Sequence, residues 1–121
     1  MYRWLRLKVG TGKSTLIKYI IEDLGLDPAR EVAYITFTGK AALVLSQHGC
    51  PGAMTAHKFL YDAKPKANGT FYLQPKSTFD ILEDFPQLKV VIVDEVSMLP
   101  NTLWQLLLSH HFYVIASGDP A

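Results

Sequence analysis

The apolar positions of this chain fall into two patterns. "EVAYITF" from Glu31, "KVVIVDE" from Lys89 and "HFYVIASGD" from His111 are runs rich in β-branched and aromatic residues without polar alternation, as expected of strands covered on both faces. Between them the spacing is helical. Ile17, Ile20, Ile21 and Leu24 share one face of a helix predicted from Ser14 to about Leu24, which Gly25 stops. "AALVLSQHG" predicts a second helix with Gly49 as its C-cap, and a first strand falls within residues 2–7. The order is strand, helix, strand, helix, irregular insert, strand, helix, strand. This alternation predicts an α/β fold built on a parallel sheet.

The insert, residues 61–79, reads "YDAKPKANGTFYLQPKSTF". Its lysines, prolines and the pair Asn68-Gly69 predict a small surface hairpin within one domain spanning residues 1–121. Phe71 and Tyr72 beside the turn either stack on nucleic-acid bases or simply close the hairpin.

Composition adds limits. Apolar residues make up 49% of the chain, the profile of a globular domain. No apolar run approaches the roughly 20 residues that span a bilayer, and "MYRWLRLKVG" lacks the apolar core of a signal peptide. A cytoplasmic protein with no membrane partner is expected. Cys50 is the single cysteine, so no internal disulfide forms, and nothing beside it in sequence activates a thiol, which makes it a structural residue. The formal net charge of +1 hides a partition: residues 1–18 carry five basic groups and no acid, whereas residues 80–121 hold six acids against Lys89. Two of those acids, Asp94 and Glu95, are adjacent and follow an apolar strand.

Residues 5–20, "LRLKVGTGKSTLIKYI", come within one position of the phosphate-loop pattern G-x-x-x-x-G-K-[ST], with Leu7 standing where the first glycine belongs. In such a loop Gly10, Thr11 and Gly12 let successive N–H groups curl toward a phosphate. The following helix aims its positive end at the same place. Lys13 reaches the β- and γ-phosphates, Ser14 supplies a Mg²⁺ ligand and Thr15 lies near the α-phosphate. Asp94 and Glu95, at the carboxyl end of a strand, fit metal binding through water and activation of the attacking water. The plain alternatives are a glycine turn and an acidic pair that ends a strand. Leu7 cannot adopt positive φ without strain, so it is expected to weaken nucleotide binding without abolishing it.

"VIVDEVSMLP", preceded by "TFTGKAALVL" and "MTAHKFL" and followed by "VIASGDPA", resembles in order the ATPase motifs of superfamily 1 DNA helicases of the RecD and Dda-like branch. The resemblance implies a P-loop NTPase domain of RecA-like, three-layer form, a parallel sheet flanked by helices and here incomplete. It also implies an ATP-dependent helicase that couples ATP hydrolysis to movement along single-stranded DNA, with ATP and Mg²⁺ as cofactors. By similarity, Gly10, Thr11, Gly12, Lys13, Ser14 and Thr15 form the ATP pocket, Asp94 and Glu95 serve catalysis, and Gly118 and Asp119 open the motif that senses the γ-phosphate. Thr38, Gly39 and Lys40 match a loop that touches the DNA backbone, and Thr55 and His57 match a second DNA-contacting motif. "TGK" is otherwise a bare helix N-terminus, and His57 a packing residue. The insert stands where these helicases carry a small subdomain that helps split the duplex.

The family's second RecA-like domain is expected in cis or from a partner chain, since residues 1–121 do not contain it. Two alternatives stay open: a nucleotide-binding module working with a separate chain, and an inactive truncated remnant. The family topology implies that "YVIAS" lies between the first strand and "VVIVD", with the first strand at a sheet edge.

Overall fold

The computed structural model describes residues 2–5, 13–94 and 98–117. The chain begins with β1 (Tyr2–Leu5), α1 (Lys13–Asp23), β2 (Val32–Thr36) and α2 (Gly39–Gln47). It continues through β3 (Met54–Thr55), α3 (Ala56–Leu60) and the strand pair β4 (Tyr61–Pro65) and β5 (Phe71–Pro75). It closes with α4 (Thr78–Asp84), β6 (Val90–Val93), α5 (Asn101–Ser109) and β7 (Tyr113–Ser117).

Five strands form one sheet in the order β1-β7-β6-β2-β3, and every pair in it is parallel. β1 is therefore at an edge and "YVIAS" separates it from "VVIVD", as the family topology implies. The apolar runs make sense once both faces are covered. Val32 and Tyr34 of β2, Val90 and Ile92 of β6, and Ile115 of β7 pack with Ile17 and Ile21 of α1 and Leu45 of α2. The alternate residues Ala33, Ile35, Val91, Val93, Val114 and Ala116 face the other way, onto Phe59, Leu60, Ile81, Leu103 and Leu107. Helices on both faces give three layers, and each large side chain buried this way contributes about 1.5–3 kcal/mol.

The helix ends follow local chemistry. Gly25 at φ +69° lets Leu26 N–H reach the Ile21 carbonyl at 3.1 Å and its own N–H reach Glu22 at 3.0 Å, which terminates α1 in a Schellman turn. Ile17 and Ile21 are buried as the periodicity requires, but Leu24 is exposed because α1 ends one residue earlier and the chain turns away. Gly49, at φ +90°, follows the cap residue His48 of α2, and the next N–H, that of Cys50, bonds the Leu45 carbonyl at 3.1 Å.

Three elements were not foreseen from the pattern. β3 has two residues, α3 has five, and α4 buries only Ile81 among its side chains, so none presents a readable period. α4 is set instead by a capping box between Ser77 and Asp80. Its start takes Thr78 and Phe79 out of the insert. Residues 61–75 form a separate antiparallel hairpin. At its turn, Lys66 N–H donates to Thr70 O at 2.7 Å, and Asn68 Oδ1 accepts from the Thr70 amide and hydroxyl.

Candidate functional site

Because the large sheet is parallel, the carboxyl ends of its strands share one edge, and the polar residues of the chain's best motifs collect there. Asp94 follows β6 and continues the ladder through its N–H to the Ile35 carbonyl, 2.9 Å. It has the alternation of Val90 and Ile92, so it belongs to the face covered by α1. Asp94 is 7% exposed, and its carboxylate accepts a hydrogen bond at 3.2 Å from the hydroxyl of the fully buried Ser117 at the end of β7. A buried carboxylate beside a strand end is a hard oxygen donor of the kind Mg²⁺ takes singly, together with substrate phosphates. Among the described residues no cluster of three or more His, Cys, Asp or Glu forms a protein cage for a metal.

Lys13, Ser14 and Thr15 are the first residues of α1. A helix start leaves its first N–H groups outside the helical ladder and carries the positive end of the dipole. Gly10, Thr11, Gly12, Glu95, Gly118 and Asp119, and with them Leu7, lie outside the described residues.

The five residues matched to DNA contacts are all described, and they meet at the far end of the same edge. Thr36 and Thr55 are register partners at the ends of β2 and β3, which sets the two loops side by side. Thr38 caps α2, accepting from Ala41 N–H at 3.1 Å, and its carbonyl accepts the buried Thr36 hydroxyl at 2.9 Å. Gly39 and Lys40 are exposed in the first turn. Thr55 caps α3 in the same way, accepting from Lys58 N–H at 3.2 Å. His57 is exposed, with its ring 5.8 Å from the stacked Tyr61 ring and 6.4 Å from Phe37. The packing reading of His57 thus has a physical basis in two aromatic neighbours.

Ser117, Phe37 and Tyr61 were missed as members of these groups. Ser117 had a signal, a polar residue closing an apolar run. Tyr61 had the i,i+4 spacing from His57. Cys50 matches its structural reading: it is fully buried, and burial pushes its thiol up, with the Asp94 charge adding and Lys18 opposing. Burial likewise pushes Tyr34, in the same core, up to about 12.

Strand order, helix layers and an acid at the carboxyl end of β6 together define a RecA-like P-loop ATPase fold. The AAA domain family model matches residues 8–121, and the chain belongs to that family. It is 35% identical over 102 residues to the ATP-dependent DNA helicase dda of Enterobacteria phage T4, a match covering 83% of this chain and 22% of that protein. The crystal structure of Bacteroides Pif1 bound to single-stranded DNA shares the fold with a TM-score of 0.65 at 21% identity, covering 99% of this chain and 30% of that one. The protein is thus a superfamily 1 helicase-like ATPase domain, and it spans about a fifth of the length of the phage helicase it matches. No helix among the described residues is long and apolar enough to cross a membrane.

Proposed function

We propose that this chain is the ATP-binding motor domain of a cytoplasmic RecD and Dda-like DNA helicase, and that in the full-length protein it couples ATP hydrolysis to translocation along single-stranded DNA. ATP binds through Gly10 to Thr15, with Gly118 and Asp119 at its γ-phosphate. Mg²⁺ is held by Ser14 and Asp94, and Glu95 orients the attacking water. A second RecA-like domain, in cis or from a partner chain, closes on the nucleotide. Thr38, Gly39, Lys40, Thr55 and His57 take the strand, and the hairpin forms a small inserted subdomain that presents Phe71 and Tyr72 to it. The observation that supports this reading best is the buried Asp94 carboxylate, held by Ser117 on the sheet edge where α1 and α2 also begin.

Calorimetric titration of Mg-ATP into the wild-type chain and Lys13→Ala tests the pocket, with most of the affinity lost in the variant. Unchanged affinity would mean that the loop does not bind phosphate. Glu95→Gln in the full-length protein should abolish DNA-stimulated ATPase while leaving nucleotide binding intact.

A further inference from the structure

The hairpin has little burial to hold it in place. Tyr61 packs on the core, but Ala63 to Pro65 and all of β5 are exposed, including Phe71 at 68%. A two-stranded hairpin is at best marginally stable by itself. Something other than apolar area must fix its direction.

Among the described residues, the Tyr61 N–H bonds the His57 carbonyl where the hairpin leaves α3, and the other hydrogen bonds and ion pairs joining the hairpin to the body converge on Lys76, just after β5. Its N–H bonds the Leu60 carbonyl at 2.7 Å and closes the base. Its side chain is only 11% exposed. The ammonium lies 3.3 Å from the Lys58 carbonyl of α3, 3.5 Å from Asp84 Oδ2 at the end of α4 and 3.8 Å from Asp62 Oδ1 of β4. Three donors thus face three acceptors on three elements. Asp84 is otherwise badly placed, because a carboxylate in the last turn of a helix opposes the dipole. A partner cation resolves that conflict. Asp62 and Asp84 are partly exposed, so each ion pair alone is weak. What the cluster supplies is direction: Lys64 pairs with Asp62 at 4.0 Å within the hairpin, whereas Lys76 ties Asp62 to Asp84 on a different element.

We infer that Lys76 is a positioning residue that clamps the hairpin to α3 and α4, holding Phe71 and Tyr72 at a fixed angle to the Thr38–Lys40 and Thr55 loops. The backbone bond to Leu60 keeps the hairpin formed when the side chain is changed, so the angle is what Lys76 controls. Its use in DNA binding rests on the function proposed above. The clamp itself does not.

The test is a spin-label distance between Ala67→Cys at the hairpin tip and Gln105→Cys on α5; the buried Cys50 stays unlabelled. The wild-type background gives one narrow distribution. Lys76→Met shifts and broadens it, Lys76→Arg restores it, and Asp84→Asn gives an intermediate width. A merely stabilising role would lower the melting temperature without moving the distance. A narrow, unshifted distribution in folded Lys76→Met overturns the clamp; if that variant does not fold, Asp84→Asn decides by the same criterion. A second arm crosslinks a thiothymidine-containing single strand to the hairpin. Crosslinks lost in Lys76→Met support the positioning role in DNA binding. Crosslinks absent from the wild type, with the distance still broadened by Lys76→Met, overturn the DNA reading and leave the clamp standing.

Discussion

Ser117 and Asp94 are a buried polar pair at the carboxyl ends of β7 and β6, and two substitutions there separate structure from the proposed chemistry. Ser117→Ala removes a hydrogen bond to a buried carboxylate, 3.2 Å long. A bond to a charged group contributes about 1.5–3 kcal/mol, because the acceptor left behind cannot recover its water. In a domain of this size that lowers the melting temperature by about 5–12 °C. The carboxylate also loses one of the contacts that orient it, so Mg-ATP affinity falls, by up to about tenfold, as when an outer-shell partner of a metal ligand is removed. Asp94→Asn should do the opposite on one axis. The amide keeps an oxygen to accept from Ser117, so that bond and its share of the stability survive. Mg-ATP affinity falls steeply, while affinity for ATP without Mg²⁺ does not. Urea unfolding at constant m and calorimetric titrations with and without Mg²⁺ measure both axes. If Asp94→Asn unfolds as easily as Ser117→Ala and leaves the Mg²⁺ dependence unchanged, Asp94 is structural and the metal assignment is wrong.

Lys40→Ala should weaken single-stranded DNA binding for all sequences alike and flatten the log–log salt slope by about 0.7, the share of one phosphate contact; an unchanged slope by fluorescence anisotropy removes Lys40 from the interface. Burial, with the neighbouring His111 adding, holds His110 below its ordinary value, and its Nδ1 shares a 2.7 Å hydrogen bond with the Thr78 hydroxyl. The unfolded chain therefore binds the extra proton more readily, so stability is full above about pH 6.5 and is lost as pH falls through the depressed value; His110→Gln should flatten that acid limb in urea titrations. Gly49→Ala places a side chain at φ +90° and a Cβ against Lys18 Cε. The lysine swings aside, leaving the backbone cost of about 1–2 kcal/mol as a lower melting temperature.

Legibility followed the amount of burial. β2, β6 and β7 were readable because they are covered on both faces and cannot afford polar residues. α1 was readable up to the residue where it stops facing the core, which is why Ile21 was assigned correctly and Leu24 was not. β3 and α3 were not readable as elements, since two and five residues are shorter than any period they would need. α4 exposes Phe79 and Leu82 and hides Ile81, so its apolar letters mark no single buried face. The pair Ser117 and Asp94 lies 23 residues apart and meets only because β6 and β7 are neighbours, a fact of topology that spacing alone does not carry.

The two readings kept open for "TGK", a bare helix start or a contact to the DNA backbone, rest on the same capped turn, and Thr55 of "MTAHKFL" repeats that cap. Thr38 and Thr55 spend their hydroxyls on the third N–H of α2 and α3, so neither hydroxyl is the natural first contact for DNA. That same bond fixes the first turn, and with it the direction of the N–H groups ahead of it, which no helical carbonyl can satisfy. The cap therefore builds the donor set. The Thr36 hydroxyl, bonded to the Thr38 carbonyl, anchors the loop to the sheet, and the register of Thr36 with Thr55 fixes its distance from the second loop. The two starts are not equal, however. α2 has nine residues, whereas α3 has five and turns at once into β4; each has an exposed lysine in its first turn, Lys40 and Lys58. The longer helix gives the first loop the fuller dipole, and at the second the His57 ring lies between Tyr61 and Phe37. The first is suited to a phosphate and the second to the apolar face of a base, a division of labour that one strand running across both loops would use.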